Sequence, residues 1–95
     1  MAITEAMRKK IVLILKKNGI RKAGIFGSIA RGEDRQESDI DIVIEVDRKD
    51  FSLLDLVALK LEIERKLRKK ADVLMYRSLH PLLREKILKE EIRVL

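Results

Sequence analysis

Two aspartates spaced i and i+2 stand at the head of an apolar run: Ser38-Asp39-Ile40-Asp41 passes straight into Ile42-Val43-Ile44. Alternate residues of a strand share a face, so Asp39 and Asp41 project side by side. Carboxylates held that close repel one another, and the pKa of one rises unless something positive sits between them. A divalent cation is the simplest partner, and hard oxygen donors favour Mg2+ or Mn2+. Upstream, the short apolar run Ile25-Phe26 ends abruptly at Gly27-Ser28. Glycine lets the backbone approach a ligand closely or take a positive φ. Ser28 offers a hydroxyl and an N–H at a predicted helix N-terminus, a natural seat for phosphate. Phosphate on one side and metal-binding carboxylates on the other point to metal-assisted phosphoryl or nucleotidyl transfer. The plainer readings are a Ser-Asp-x-Asp turn and a strand-to-helix turn capped by Ser28.

The elements that must position these groups follow from patterning. Thr4 to Lys17 predicts a helix, capped by Thr4, with Glu5 in its first turn. Ile3, Met7, Ile11, Ile14 and Leu15 fall on one side of it. Asn18-Gly19 then supplies a left-handed stop, with Ile20 placed for the hydrophobic contact that follows. Lys22 to Phe26 predicts a first strand. A short helix is expected from about Ser28 to before Gly32, then a polar loop over Glu33 to Glu37. Ile40 to Val46 predicts a second strand, apolar enough to be buried on both faces. The link between the strands is short, so they should lie antiparallel, which returns Gly27-Ser28 to the neighbourhood of Asp39 and Asp41.

Phe51 to Lys69 predicts a long helix with an unusually wide apolar arc. Lys60, Glu64 and Arg68 form a ladder of alternating charge through that arc. Leu56, Leu59, Ile63 and Leu67 lie on one side of it, and Leu53, Leu54, Val57 and Leu61 on the other. One face must pack on the sheet; the second either meets another chain or is buried internally. Ala71 to Met75 predicts a third strand, reached by a right-handed crossover and parallel to the second. Parallel neighbours start at the same sheet end, so Asp72 should come beside Asp39 and Asp41. Ser78 or His80 is expected to cap a last helix with Pro81 in its first turn, running to about Glu90. Ile92 to Leu95 is a fourth short strand or a frayed end. The single His80 reads as a helix-start residue, and the single Tyr76 as a core or edge residue or a platform for a nucleobase.

The 95 residues make one small domain over 1–95, of a size that buries about 60–65% of its unfolded surface. Hydrophobic residues are 46% and aromatics only 3%, so the core must be Ile, Leu and Val. The absence of cysteine excludes a disulfide scaffold and thiolate metal sites. No apolar run approaches the ~20 residues of a membrane span and no signal-peptide pattern opens the sequence; a soluble cytoplasmic protein is expected. The net charge of +6 with 40% charged residues suits a polyanion such as a nucleotide triphosphate. Most of the charge, interleaved in sign along the helices, suits a thermophile-like surface instead. Aromatics for base stacking are lacking, which argues against direct nucleic-acid binding.

Gly-Ser-Ile-Ala-Arg-Gly followed by Ser-Asp-Ile-Asp-Ile resembles the signature of the DNA polymerase β-like nucleotidyltransferases. At this length the chain is similar to the minimal members, including MntA-type antitoxins that pair with HEPN-domain ribonuclease toxins. Five fixed positions (Gly27, Ser28, Ser38, Asp39, Asp41), each of about 5–7% abundance, would coincide by chance on the order of once in a million starts. The resemblance implies an α/β fold (α+β by some conventions), a small mixed sheet flanked by helices in the order α-β-α-β-α-β-α. It implies Asp39, Asp41 and Asp72 as ligands of one or two Mg2+ ions, with Asp72 also assisting deprotonation of the acceptor. Gly27 and Ser28 are assigned to the donor phosphates; Arg31 is in reach of a phosphate, or else a solvated helix residue. The implied reaction transfers AMP from ATP to a tyrosine hydroxyl of a HEPN toxin and silences it. The acceptor must then be recognised through that partner or through a homo-oligomer. The alternatives are an idle antitoxin that works by binding and an orphan nucleotidyltransferase with a small-molecule or nucleic-acid acceptor.

Overall fold

The structure, a computed structural model, describes residues 4–27 and 39–95. The expected short helix from Ser28 and the polar loop Glu33 to Glu37 lie outside the described residues. Helix α1 (Glu5–Lys17) starts where expected: the Thr4 hydroxyl accepts the Met7 N–H at 3.1 Å. It stops at Asn18, and Gly19 follows at φ +72°. Strand β1 (Ile20–Phe26) begins two residues before the expected Lys22. Ile20 is buried and pairs with Val46, with a register shift before Lys22. Strand β2 (Ile40–Val46) runs antiparallel to β1, with Ile25 opposite Ile42 and Phe26 opposite Asp41.

Helix α2 (Leu53–Leu67) opens on a reciprocal cap that the hydrophobic pattern alone did not locate. The Ser52 hydroxyl accepts the Asp55 N–H at 3.2 Å, and Asp55 accepts the Ser52 N–H at 2.8 Å. That cap moves the helix start past the expected Phe51, which instead packs into the core ahead of the first turn, where an apolar residue fixes the entry of the chain. The helix ends at Arg68, which takes the left-handed conformation at φ 53°, ψ 44°. Strand β3 (Ala71–Met75) lies parallel to β2, with Ile40 opposite Ala71 and Asp41 opposite Asp72. A 3-10 turn (Tyr76–Ser78) leads to helix α3 (Pro81–Glu90). His80 caps that helix, its Nδ1 accepting the Leu82 N–H at 3.3 Å. Strand β4 (Ile92–Arg93) pairs antiparallel with Ile25 and Gly24.

The sheet order is β3-β2-β1-β4. One face is the main core, built from Ile11, Ile14 and Leu15 of α1, Leu59 and Ile63 of α2, and Ala23, Ile25, Ile40, Ile42, Ile44, Ala71, Val73 and Met75 of the strands. Leu56 and Leu67 pack against it. Leu53, Leu54, Val57 and Leu61 do not; Leu53 and Leu54 are 75% and 81% exposed, so the second apolar face of α2 is not buried internally. The opposite side of the sheet carries a smaller cluster of Val43, Tyr76 and Ile87, joined by Phe26 and Leu79. Among the described residues no helix is long and apolar enough to cross a membrane.

Candidate active site

Strand alternation decides where the carboxylates go. Ile40, Ile42 and Ile44, and likewise Ala71, Val73 and Met75, face the main core. Asp41 and Asp72 therefore project from the other face, and the same alternation carries Asp39 to that side. Asp41 sits in the middle of the row, opposite Asp72 on β3 and opposite Phe26 on β1. Asp39 and Asp72 are exposed and Asp41 is half-buried. Ser28 and Arg31, assigned to the donor phosphates, lie outside the described residues, as does Ser38.

Gly27 closes the row from the β1 side. Its φ is +77°, and a Cβ built there would overlap a carboxylate oxygen of Asp41. Both the left-handed backbone and the contact demand glycine. The residue after β1 is therefore part of the wall around Asp41, and its missing side chain makes room for that carboxylate to lie against the backbone.

Two features of this site were not legible as site features in the sequence. The first is Glu64, expected only as a rung of the charge ladder on α2. Its carboxylate accepts the Ala71 N–H at 2.9 Å and so fixes the residue just before Asp72. The second is the support behind β1. The Tyr76 hydroxyl donates to Glu91, and a Cβ on Gly24 would overlap that same Glu91 carboxylate. Lys22 Nζ lies 5.0 Å from the Tyr76 ring centroid, a cation–π distance. Tyr76 is only 5% exposed, so it is a core residue and not a platform for a nucleobase. Burial first, then the Glu91 carboxylate, push its phenol well above the usual tyrosine range.

The donor set is all carboxylate, the chemistry that takes Mg2+ or Mn2+, and the glycine beside Asp41 lets that carboxylate lie against the end of β1. Among the described residues no three acidic or histidine side chains are gathered closely enough to form a finished cation cage. What the structure shows is a common face and a matching register.

Residues 9–95 match the family of polymerase beta nucleotidyltransferases, and the chain belongs to that family. A Methanocaldococcus jannaschii protein named as a candidate protein adenylyltransferase is 52% identical over 89 residues, covering 94% of this chain and 95% of that protein. The protein adenylyltransferase MntA of Thermococcus cleftensis is 34% identical over 76 residues, 80% of this chain and 76% of its own. Among solved structures, a candidate minimal nucleotidyltransferase matches with a TM-score of 0.80 at 37% identity, over 92% of this chain and 88% of that one. A complex of a tri-AMPylated Shewanella oneidensis HEPN toxin with an MNT antitoxin matches at 0.79 and 18% identity, over 98% of this chain and 72% of that one. A toxin–antitoxin structure with AMP-PNP matches at 0.83 and 21%, over 93% and 72%. At those lower identities the likeness is one of fold.

Proposed function

We propose that this chain is a metal-dependent protein adenylyltransferase that transfers AMP from ATP to a tyrosine hydroxyl of a HEPN-domain toxin and so acts as its antitoxin. The observation that carries this reading is the row Gly27–Asp41–Asp72, a glycine in contact with the first of two registered carboxylates across three neighbouring strand ends. The names of the relatives and the AMPylated toxin in one structural neighbour support it.

Asp39, Asp41 and Asp72 would hold one or two Mg2+ ions, whose charge when bound offsets that of the triphosphate and of the oxygens that exchange places in the reaction. Asp72, exposed at the outer end of the row, takes the proton from the acceptor hydroxyl. The freed oxygen bonds to the α-phosphorus of ATP as the bond from that phosphorus to the bridging oxygen breaks, and pyrophosphate leaves with the bond's electron pair. Gly27 brings backbone close to the triphosphate, and Ser28 and Arg31 are the neighbouring residues that the family resemblance assigns to it. The need for ATP sets the reaction in the cytoplasm.

The test is incubation with Mg2+, a purified HEPN-domain toxin and ATP labelled at either the α- or the γ-phosphorus. Label from the α position alone should appear on a toxin tyrosine, and should vanish with EDTA or with Asp41→Asn. Full inhibition of the toxin's ribonuclease without label would overturn the enzymatic reading in favour of an antitoxin that works by binding.

A further inference from the structure

The strand that carries Asp72 is an edge of the sheet. Its backbone accounting is unusually open for an edge. The Ile40 N–H donates to the Lys70 carbonyl at 2.9 Å, so Lys70 directs its backbone groups toward β2. Those groups alternate sides along a strand. Asp72 and Leu74 therefore also turn theirs to β2, while Ala71, Val73 and Met75 turn theirs outward. The Ala71 N–H confirms the direction, since it is taken from outside the ladder by Glu64. The Met75 carbonyl is taken up by the 3-10 turn that follows, but among the described residues no strand pairs with the outward N–H and C=O of Val73 or the outward N–H of Met75.

Edges are usually blunted by proline, inward lysine, bulges or a covering element. Ala-Asp-Val-Leu-Met has no proline, no lysine and an unbroken register of five pairs with β2. Its one charge is Asp72, on the candidate catalytic face. Leu74, two residues on and on the same face, is 37% exposed.

We propose that the acceptor polypeptide docks on this edge as a fifth strand, in extended conformation, and that its hydroxyl residue is delivered opposite Asp72. The proposal deepens the preceding one and rests on it for the acceptor being a polypeptide. The geometry follows from sheet rules. An added strand lies about 4.8 Å from β3 and takes its main-chain bonds from the N–H and C=O of Val73 and the N–H of Met75. Because Asp72 turns its own backbone groups inward, a residue opposite it in an antiparallel addition forms a non-hydrogen-bonded pair. In such pairs the Cα atoms are about 4.5 Å apart and the side chains are closest. The acceptor side chain then shares a face with Asp39, Asp41 and Asp72. Two residues along, the acceptor meets Leu74, which favours an apolar residue there. Glu64, by occupying the first outward N–H, limits how far the added strand can slide toward the start of β3.

The test uses the full chain and the purified HEPN-domain toxin. Backbone amide exchange of the wild-type chain is measured with and without toxin. Val73 and Met75 amides should slow at least tenfold on binding. Val73→Pro removes an outward N–H and no bond of the ladder to β2, as edge strands tolerate. Val73 also packs in the core, so the variant should melt several degrees lower while keeping a cooperative transition and its ATP affinity, and should lower kcat/KM for AMP transfer about fivefold, the typical worth of one lost hydrogen bond. AMP transfer with no change in Val73 and Met75 exchange would overturn the docking mode while leaving the activity standing. Protection of both amides by the toxin without any transfer would support the docking edge and overturn the activity alone.

Discussion

Gly27→Ala tests the central contact of the candidate site, because its cost has two separable parts. The first is conformational: at φ +77° an alanine Cβ crowds the following carbonyl, at about 1–2 kcal/mol. The second is the overlap with the Asp41 carboxylate, relieved only if Asp41 leaves its rotamer, at about 0.5–1.5 kcal/mol. The sum, about 1.5–3.5 kcal/mol, is tolerable for a domain whose total stability is on the order of 5–10 kcal/mol. Each kcal/mol should lower the melting temperature by about 4–8 °C at this size. In an Asp41→Ala background the carboxylate is gone, and the Asp41 Cβ lies 3.4 Å from the built methyl, an ordinary contact. Only the conformational part should remain. Urea unfolding of wild type, both single variants and the double variant should therefore give a coupling of about 0.5–1.5 kcal/mol. Equal losses in both backgrounds, within about 0.3 kcal/mol, would show that Gly27 does not wall Asp41 and would remove the observation on which the site is built.

Other outcomes are open to simple measurement. Ser52→Ala removes the hydroxyl from the cap of α2 and should cost about 1 kcal/mol, seen as a drop of about 4–8 °C in melting temperature. Glu62 is held below the ordinary glutamate value of 4.5 by hydrogen bonds from Lys17, the larger effect, and from Asn18. The unfolded chain binds that proton first, so stability from this group is present above the ordinary value and is lost as pH falls through the depressed one. Glu62→Gln should flatten that acid limb, read by urea midpoints across pH 3–6. Tyr76 should resist ionisation in the folded chain. With one tyrosine and no tryptophan, phenolate absorbance should appear well above pH 10 and together with alkaline unfolding; a reversible titration near pH 10 with the fold intact would refute its burial against Glu91. Tyr76→Phe leaves Glu91 without that donor and should cost about 1–3 kcal/mol.

The sequence carried the row of carboxylates well because strand alternation and parallel register are rigid rules. Once Ile40–Val46 and Ala71–Met75 were recognised as strands, Asp41 and Asp72 had to meet, and they do. Helix ends were legible where a capping side chain speaks locally, as at Thr4 and His80. They were misjudged by two residues at Phe51, where an apolar residue belonged to the staple before the helix and not to the helix. The start of β1 at Ile20 was missed because Ile20 serves the turn and the strand at once. Contacts between distant segments left no local mark. Nothing near Glu91 announces that it stands against Gly24 and Tyr76, and nothing in the Lys60-Glu64-Arg68 ladder says that one rung leaves it to cap a strand. Ser28 and Arg31 remain assignments by family resemblance.

Helix α3 is fastened by one fully buried side chain, Ile87, while Leu82, Leu83 and Leu88 stand in solvent. Beyond it, β4 adds only two registered pairs with β1. The chain is thus two units of unequal cohesion, a firm three-stranded slab on α1 and α2 and a lightly moored strap across its back. Slow amides should cluster in β1 and β2, and those of α3 should open first. When the strap lifts, the first large groups to reach water are Val43 and Tyr76, on the same face as the aspartate row, so the face that carries the candidate site is also the one with the shallowest free-energy well.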